Sequence, residues 1–415
     1  MAQSFLVILR HTKWANPTMN YLSKRINDLE ESATIAMARL SRELQEQGHD
    51  IISLSLGEPD FVTPHDIREA AKKAIDDGFT FYPPIAGYAD LRKAISEKFK
   101  RENNLEFKPE QIVVSTGAKQ SIANVILSLV NPGEEVIVPS PYWVSYAQMI
   151  QLAGGVPVYI DTTVDNDFKP TAQQVKEAIT PKTKLFIFSS PCNPTGSIFS
   201  KEELKSIAEV ILPHPQIYIL SDEIYEHIRF ESNHESIAQF DFIKDRVVIV
   251  NGVSKGYAMT GWRIGYIGAP IEIAKACDKM QGQFTSATCS IAQKAALKAL
   301  STDWSQYEFM RESFLRRRDM VLELMQDIPG WKFNKPKGAF YVFPDVTYFF
   351  GKSDGESVIN NATDLCMYLL KDAKVSLVTG EAFGDPRCLR ISYATSDDVL
   401  REALRRIKAS FAKLK

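Results

Sequence analysis

Val247-Val248-Ile249-Val250-Asn251-Gly252-Val253-Ser254-Lys255 opens with four β-branched apolar residues in a row, with no alternation of polar and apolar side chains. A strand buried on both faces reads this way. On either side of it the same rhythm of short apolar strand, turn and amphipathic helix repeats, from about Gln111 to Pro270. Strands are expected at Gln111–Ser115, Glu135–Val138, Val156–Ile160, Lys184–Ser189, Ile217–Ser221, Val247–Asn251 and Ile264–Gly268. Between the first two, Ile122, Val125, Ile126 and Leu129 form a stripe at helical spacing within Lys119–Val130. Such alternation predicts a mostly parallel, seven-stranded sheet covered by helices on both sides.

After Ile271 the rhythm changes. Two long helical stretches are expected at about 271–300 and 303–328. Short strands follow, in Gly338–Phe343 and Cys388–Ala394, and then an amphipathic helix near Asp397–Lys413. The segment before Pro64 also lacks the strand–helix rhythm. The expectation is an α/β protein with a large domain at 63–300 and a smaller α+β domain assembled from both chain ends. Residues 1–62 would supply an N-terminal extension and part of that small domain, and 301–415 the rest. A chain of 415 residues suits two domains.

Composition narrows the function. The chain is 45% hydrophobic and 24% charged, with 49 basic and 51 acidic residues mixed along its length. That balance argues against nucleic acid or an anionic membrane as partner and leaves small-molecule chemistry. Five cysteines (Cys192, Cys277, Cys289, Cys366, Cys388) are scattered without a CxxC pair. Neither a metal site nor a dithiol motif is expected, and a reduced, cytoplasmic setting fits. No apolar stretch approaches the ~20 residues of a membrane span. Phe5–Leu9 is followed, not preceded, by Arg10 and Lys13, which is the wrong order for a secretory signal. Residues 1–18 read as an extension, with Met19 as a candidate start.

Polar chemistry begins where the apolar strands stop. Lys255 follows its strand at the C-terminal end, where open α/β sheets bind ligands. Eight residues on, Arg263 precedes the next strand, and Gly256 and Gly261 let the loop between them bend. A desolvated lysine forms Schiff bases with carbonyls, and an arginine offers a planar fork to phosphate. A carbonyl trap beside a phosphate clamp is what pyridoxal phosphate requires. Ser221-Asp222-Glu223-Ile224-Tyr225 places an aspartate at the end of a buried strand, which is costly unless it meets a cation. A protonated pyridine nitrogen would be that cation. Asn193-Pro194-Thr195-Gly196 is a turn after another strand. Ser115-Thr116-Gly117-Ala118-Lys119-Gln120 leads a strand into a helix whose free N–H groups suit a phosphate. Near the C-terminus Arg390 lies inside an apolar strand and needs an anion.

Taken together, from about Ser32 to the C-terminus, these motifs resemble the class I aminotransferases of fold type I, in their prokaryotic-type aspartate aminotransferase branch. The resemblance implies that Lys255 is the Schiff-base lysine and proton carrier, and that Ser254 and Arg263 bind the cofactor phosphate. The main chain of Gly117, Ala118 and Lys119 would join them. Asp222 would pair with the ring nitrogen, Tyr225 and Asn193 would bond the 3′-oxygen, and Trp143 would stack on the ring. Tyr82 falls on a tyrosine that reaches the phosphate of the neighbouring subunit, which implies a homodimer with shared sites. Arg390 and Gly57 would hold the substrate α-carboxylate, with Trp143 and Asn193 beside it. Lys119 would take a distal carboxylate, and Ser32 and Thr34 lie on a segment that closes over ligand. Cys192 reads as an inert packing residue. The implied activity is transfer of an amino group between an amino acid, aspartate or glutamate first, and a 2-oxo acid. Aromatic amino acids or prephenate are the alternative substrates. Elimination at carbon–sulfur bonds, known among relatives, shares the cofactor residues, so only substrate contacts discriminate, and Lys119 with Ser32 and Thr34 argues for transfer. A DNA-binding regulator built on the fold would need a domain in front of Ser32, where only about 30 residues stand, without a helix-turn-helix pattern.

Overall fold

The computed structural model describes residues 21–231 and 233–415. The expected extension at 1–18 and the candidate start at Met19 lie outside them. Residues up to Glu30 fall in a unit separate from the body that begins at Glu31. Within the former, Lys24–Asn27 is a single helical turn capped by Ser23.

The apolar runs form one sheet of seven strands: β1 (Ile112–Ser115), β2 (Glu135–Ser140), β3 (Val156–Asp161), β4 (Thr183–Ser189), β5 (Tyr218–Asp222), β6 (Val247–Gly252) and β7 (Gly265–Gly268). Their spatial order is β1-β7-β6-β5-β4-β2-β3. Only β7 runs against its neighbours, pairing antiparallel with both β1 and β6. The continuous apolar pattern has the expected cause: Val247, Val248, Ile249 and Val250 are each fully buried. Side chains at alternate positions enter different cores. Ile249 packs with Phe186, Ile219 and Tyr266 on one face, and Val248 and Val250 with Leu220 and Ile122 on the other. β3, at the sheet edge, is half-exposed along most of its length.

A second core gathers Phe314, Val321, Leu369, Ile391 and Ile407. It is built around a three-stranded antiparallel sheet of β8 (Tyr341–Val342), β9 (Val378–Thr379) and β10 (Leu389–Ser392), in the order β9-β10-β8. The chain before Pro64 reaches it as well. Ile52–Ser53 pairs in parallel with Val375–Ser376, and the helix Ala33–Glu46 bonds to that pair through Ser41 and Ser376.

Some expectations need correction. The stretch 271–300 is two helices, Ile271–Phe284 and Ser290–Ser301, with Ser286 between them in a left-handed conformation. The stretch 303–328 starts as a short 3₁₀ turn, Trp304–Tyr307, before the helix Glu308–Gln326. Further helices that the sequence reading does not include are Ala362–Asp372, Ala33–Glu46, His65–Asp76 and Ala89–Asn103. The last carries Lys98, whose fully buried ammonium meets Glu226 and Asn103. Asn103 also donates to Glu226, so this helix ties down the turn that follows Asp222.

Candidate active site

Parallel strands bring their C-terminal ends to one edge. β2, β4, β5 and β6 finish there at Ser140, Ser189, Asp222 and Gly252. Because β7 is antiparallel, it begins at that edge, with Gly265 opposite both Ser115 and Gly252. Trp143, Asn193, Asp222, Lys255, Arg263 and the Gly117 turn therefore converge without being near in sequence. They border a cavity of about 480 Å³, shared with Thr34, Gly57 and Arg390. No helix among the described residues is long and apolar enough to cross a membrane.

Lys255 is partly buried, and its amine donates to the carbonyl oxygen of Gly57. Burial pushes the ammonium down to about 8, against the pull of the Glu58 and Asp222 carboxylates and with the Arg390 and Arg263 charges acting in the same direction as burial. Asp222 is also buried, and burial pushes its carboxyl up to about 6. Tyr146 donates to its Oδ2 at 2.7 Å, and the Ile224 amide lies 3.3 Å from Oδ1. Tyr146 was not anticipated. It looks like an ordinary core tyrosine in sequence, and only the fold brings it to the aspartate.

Arg390 comes from β10 and is almost fully buried. Its Nη1 donates to Asn193 Oδ1 at 3.0 Å and its Nη2 to the Ser55 carbonyl at 2.6 Å. The Nε is buried with no partner. Rings flank the guanidinium, Tyr341 at 4.5 Å and Phe383 at 4.9 Å. With Oδ1 of Asn193 occupied by an arginine, the amide NH₂ is the end left to donate elsewhere.

Gly117 caps the helix Ala118–Leu129 at φ +81°, and a Cβ there would sit 2.3 Å from Arg263 Nη2. The arginine thus lies against the turn, held by Thr260 and Thr116 carbonyls. The Gly117 amide already donates to Ser115. The amides of Ala118 and Lys119, as first-turn donors, are the ones facing outward. Lys119 reaches the rim with its ammonium 5.1 Å from the Trp143 ring, its pKa held down by burial and by Arg263. Ser32 does not line the cavity; its hydroxyl lies 2.9 Å from that of Thr34, which does. Tyr82 is 97% exposed and lies outside the cavity. Cys192 is held as a thiol by burial, between Thr195 and Ser189. Arg42 and Glu58 also line the cavity and were not anticipated.

One electrostatic fact stands out. Lys119, Lys255, Arg263 and Arg390 all line this cavity, and among the described residues none of them forms an ion pair with a carboxylate. Arg390 is buried and Lys255 partly buried, each held by carbonyl oxygens, while Arg263 and Lys119 are exposed at the cavity. Cations without carboxylate partners at several points make a site for anions in more than one position.

Comparison with known proteins agrees. Residues 49–407 match the family described as aminotransferase class I and II. The aspartate/prephenate aminotransferase of Cereibacter sphaeroides is 47% identical over 399 residues, covering 95% of this chain and all of that one. A solved structure of the aspartate aminotransferase from Rhizobium meliloti superposes with a TM-score of 0.92 at 41% identity, over 95% of this chain and 99% of the other. The aspartate aminotransferase of Thermus thermophilus, solved with maleate, gives 0.89 at 41%, over 94% and 100%.

Proposed function

The chain belongs to the class I and II aminotransferases, enzymes that work through pyridoxal phosphate, and on that premise we propose that it moves an amino group between aspartate or glutamate and a 2-oxo acid. What carries this reading is the set of four cations without carboxylate partners around one deeply buried aspartate. The residues present fit the cofactor. A carboxyl whose burial leaves it short of a cation suits the ring nitrogen. Arg263, Ser254 and the amides of Ala118 and Lys119 suit the phosphate, with Gly117 leaving them room. Tyr225 and the Asn193 amide, which line the same cavity, would bond the ring oxygen, and Trp143 would suit a ring face.

When bound, pyridoxal phosphate supplies a carbonyl that condenses with amines and an electron-poor ring that stabilises negative charge on the adjoining carbon. The remaining work belongs to the chain. Arg390 takes the α-carboxylate in a two-pronged pair, beside the Gly57 main chain. That fixes which substrate bond stands across the ring. Lys119 takes the distal carboxylate from the rim, and Thr34, bonded to Ser32, lines the same cavity. Lys255, with an amine poised near neutrality, would be the group that accepts and returns the proton of the substrate α-carbon. Asp222, as a carboxylate, would hold a protonated ring nitrogen.

Support for a dicarboxylic substrate comes from the second cation opposite Arg390 and from the relatives, one of them solved with the dicarboxylate maleate. Prephenate is the second reading, favoured by the name of the Cereibacter sphaeroides relative. We further propose a homodimer in which Tyr82, exposed beside Phe81, completes the partner's phosphate site. A cytoplasmic location fits the free cysteines. The partition into 1–62, 63–300 and 301–415 is kept as a proposal, supported by the separate core around Phe314 and Ile391.

The test is the visible spectrum of the cofactor-loaded protein with L-aspartate and no oxo acid. A yellow band that fades as oxaloacetate appears supports both class and substrate. Fading only with prephenate's amino product or an aromatic amino acid moves the substrate. Lys255→Ala should bind cofactor without a borohydride-stable attachment and lose transfer by at least ~10³-fold; normal turnover by that variant would refute the assignment.

A further inference from the structure

Tyr341 is fully buried at the start of β8, in a stretch that the sequence reading takes only as a short strand and gives no chemical role. It touches both halves of the site. Its hydroxyl lies 2.8 Å from that of Tyr225. Its ring faces the Arg390 guanidinium at 4.5 Å. It also crowds Gly57, where a Cβ would come within 2.6 Å of the same hydroxyl. The register explains the meeting. Tyr341 pairs with Ser392 across β8 and β10, two residues along from Arg390, and the neighbouring rings of Phe340 and Tyr225 pack at 5.5 Å.

Each phenol has one proton to give. In a pair of neutral phenols, the one nearer a cation is the better donor. Either hydroxyl can donate in this pair, but Arg390 lies 4.5 Å from the Tyr341 ring, closer than the Lys255 ammonium to the Tyr225 ring at 5.6 Å, which favours Tyr341 as the donor of the shared bond. The Tyr225 proton is then left to point into the cavity. We propose that Tyr341 is a positioning residue for the whole site: its hydroxyl donates to Tyr225 so that Tyr225 presents its own proton to the cofactor ring oxygen, while its ring face holds the Arg390 guanidinium. This rests on the functional reading above and extends it to a residue with two separable jobs.

Two variants separate those jobs. Tyr341→Phe keeps the ring and removes the hydroxyl. Without donation from Tyr341, Tyr225 becomes a poorer donor, more negative charge stays on the cofactor ring oxygen, and the proton beside Lys255 is held to higher pH. The midpoint of the pH-dependent visible band of the cofactor-loaded protein should rise by ~0.5–1 unit. Its affinity for maleate should stay within about two-fold of wild type. Tyr341→Leu removes the ring as well, and maleate affinity should then fall by about ten-fold or more. A purely structural role would not move the pH midpoint in the near-isosteric Phe variant. If that midpoint stays where it is in the wild type, the hydroxyl role is wrong. If the Leu variant binds maleate like the wild type, the ring role is wrong. A wild-type protein that shows no pH-dependent band after loading would refute the functional reading, and this inference with it.

Discussion

A buried arginine on a strand is the most exposed element of this chemistry to substitution. Arg390 has spent two donors on Asn193 and Ser55 and is wedged between the rings of Tyr341 and Phe383. A lysine there keeps the charge but loses the planar fork and the stacking. Arg390→Lys should raise KM for aspartate by ~30- to 100-fold, the worth of one charged hydrogen bond, with a smaller effect on kcat. Steady-state kinetics decide it, and an unchanged KM would place the α-carboxylate elsewhere. Lys119 makes a sharper discrimination because it has no protein carboxylate to hold. If it binds the distal carboxylate, Lys119→Ala should raise KM for aspartate by about ten-fold or more while leaving an aromatic amino donor almost unaffected. Equal losses for both donors would mean that Lys119 serves the phosphate alone.

Strand ends and helix starts explain why these side chains meet. The strands of the large sheet are legible in the sequence, most of them because burial on both faces leaves a run of apolar residues that no loop carries; β3, half-exposed at the sheet edge, is legible only from its Val-Pro-Val-Tyr-Ile run. The site residues that end those strands were legible for the same reason: Asp222, Lys255 and Arg263 interrupt apolar runs with charge. Tyr146 and Tyr341 were not, since a tyrosine within an apolar segment has the same pattern whether its hydroxyl is used or idle. The helices Ala33–Glu46 and His65–Asp76 were missed although their apolar residues fall on one face, because no strand rhythm surrounds them. The joint between 271–284 and 290–301 was missed because its break rests on Ser286 in a left-handed conformation rather than on a proline or glycine. At the turn into the helix Ala118–Leu129, Gly117 answers to geometry alone. Its φ of +81° costs an alanine roughly 1–2 kcal/mol, and the added methyl would push on Arg263. Gly117→Ala should therefore weaken cofactor binding by about ten-fold or more, measured by titrating the cofactor-free protein. Wild-type affinity in that variant would remove the turn from the phosphate site.

Across the molecule, the site costs the fold stability until the cofactor arrives. Asp222 titrates near 6 in the folded chain against an ordinary 3.8, so the folded state holds its proton more tightly than the unfolded state does. Its contribution is fully present below about pH 4 and is lost as pH rises through 6. Lys255 is shifted the other way, from 10.5 to about 8, so its contribution is present above pH 10.5 and lost as pH falls through 8. Near neutrality both groups are charged, and both losses apply. Two units at Asp222 correspond to about 3 kcal/mol, a large fraction of a domain's net stability. In the cofactor-free protein, Asp222→Asn should accordingly raise stability at pH 7.5, with the advantage shrinking as pH falls from 6 towards 4. Loaded with cofactor, the order should invert. A protonated ring nitrogen gives the carboxylate the cation that burial demands, and asparagine forfeits that pair. Urea melts at several pH values, with and without cofactor, test both halves. If the variant gains as much stability loaded as empty, Asp222 does not meet a cation on the cofactor. The ring nitrogen would then have to be held by some other group.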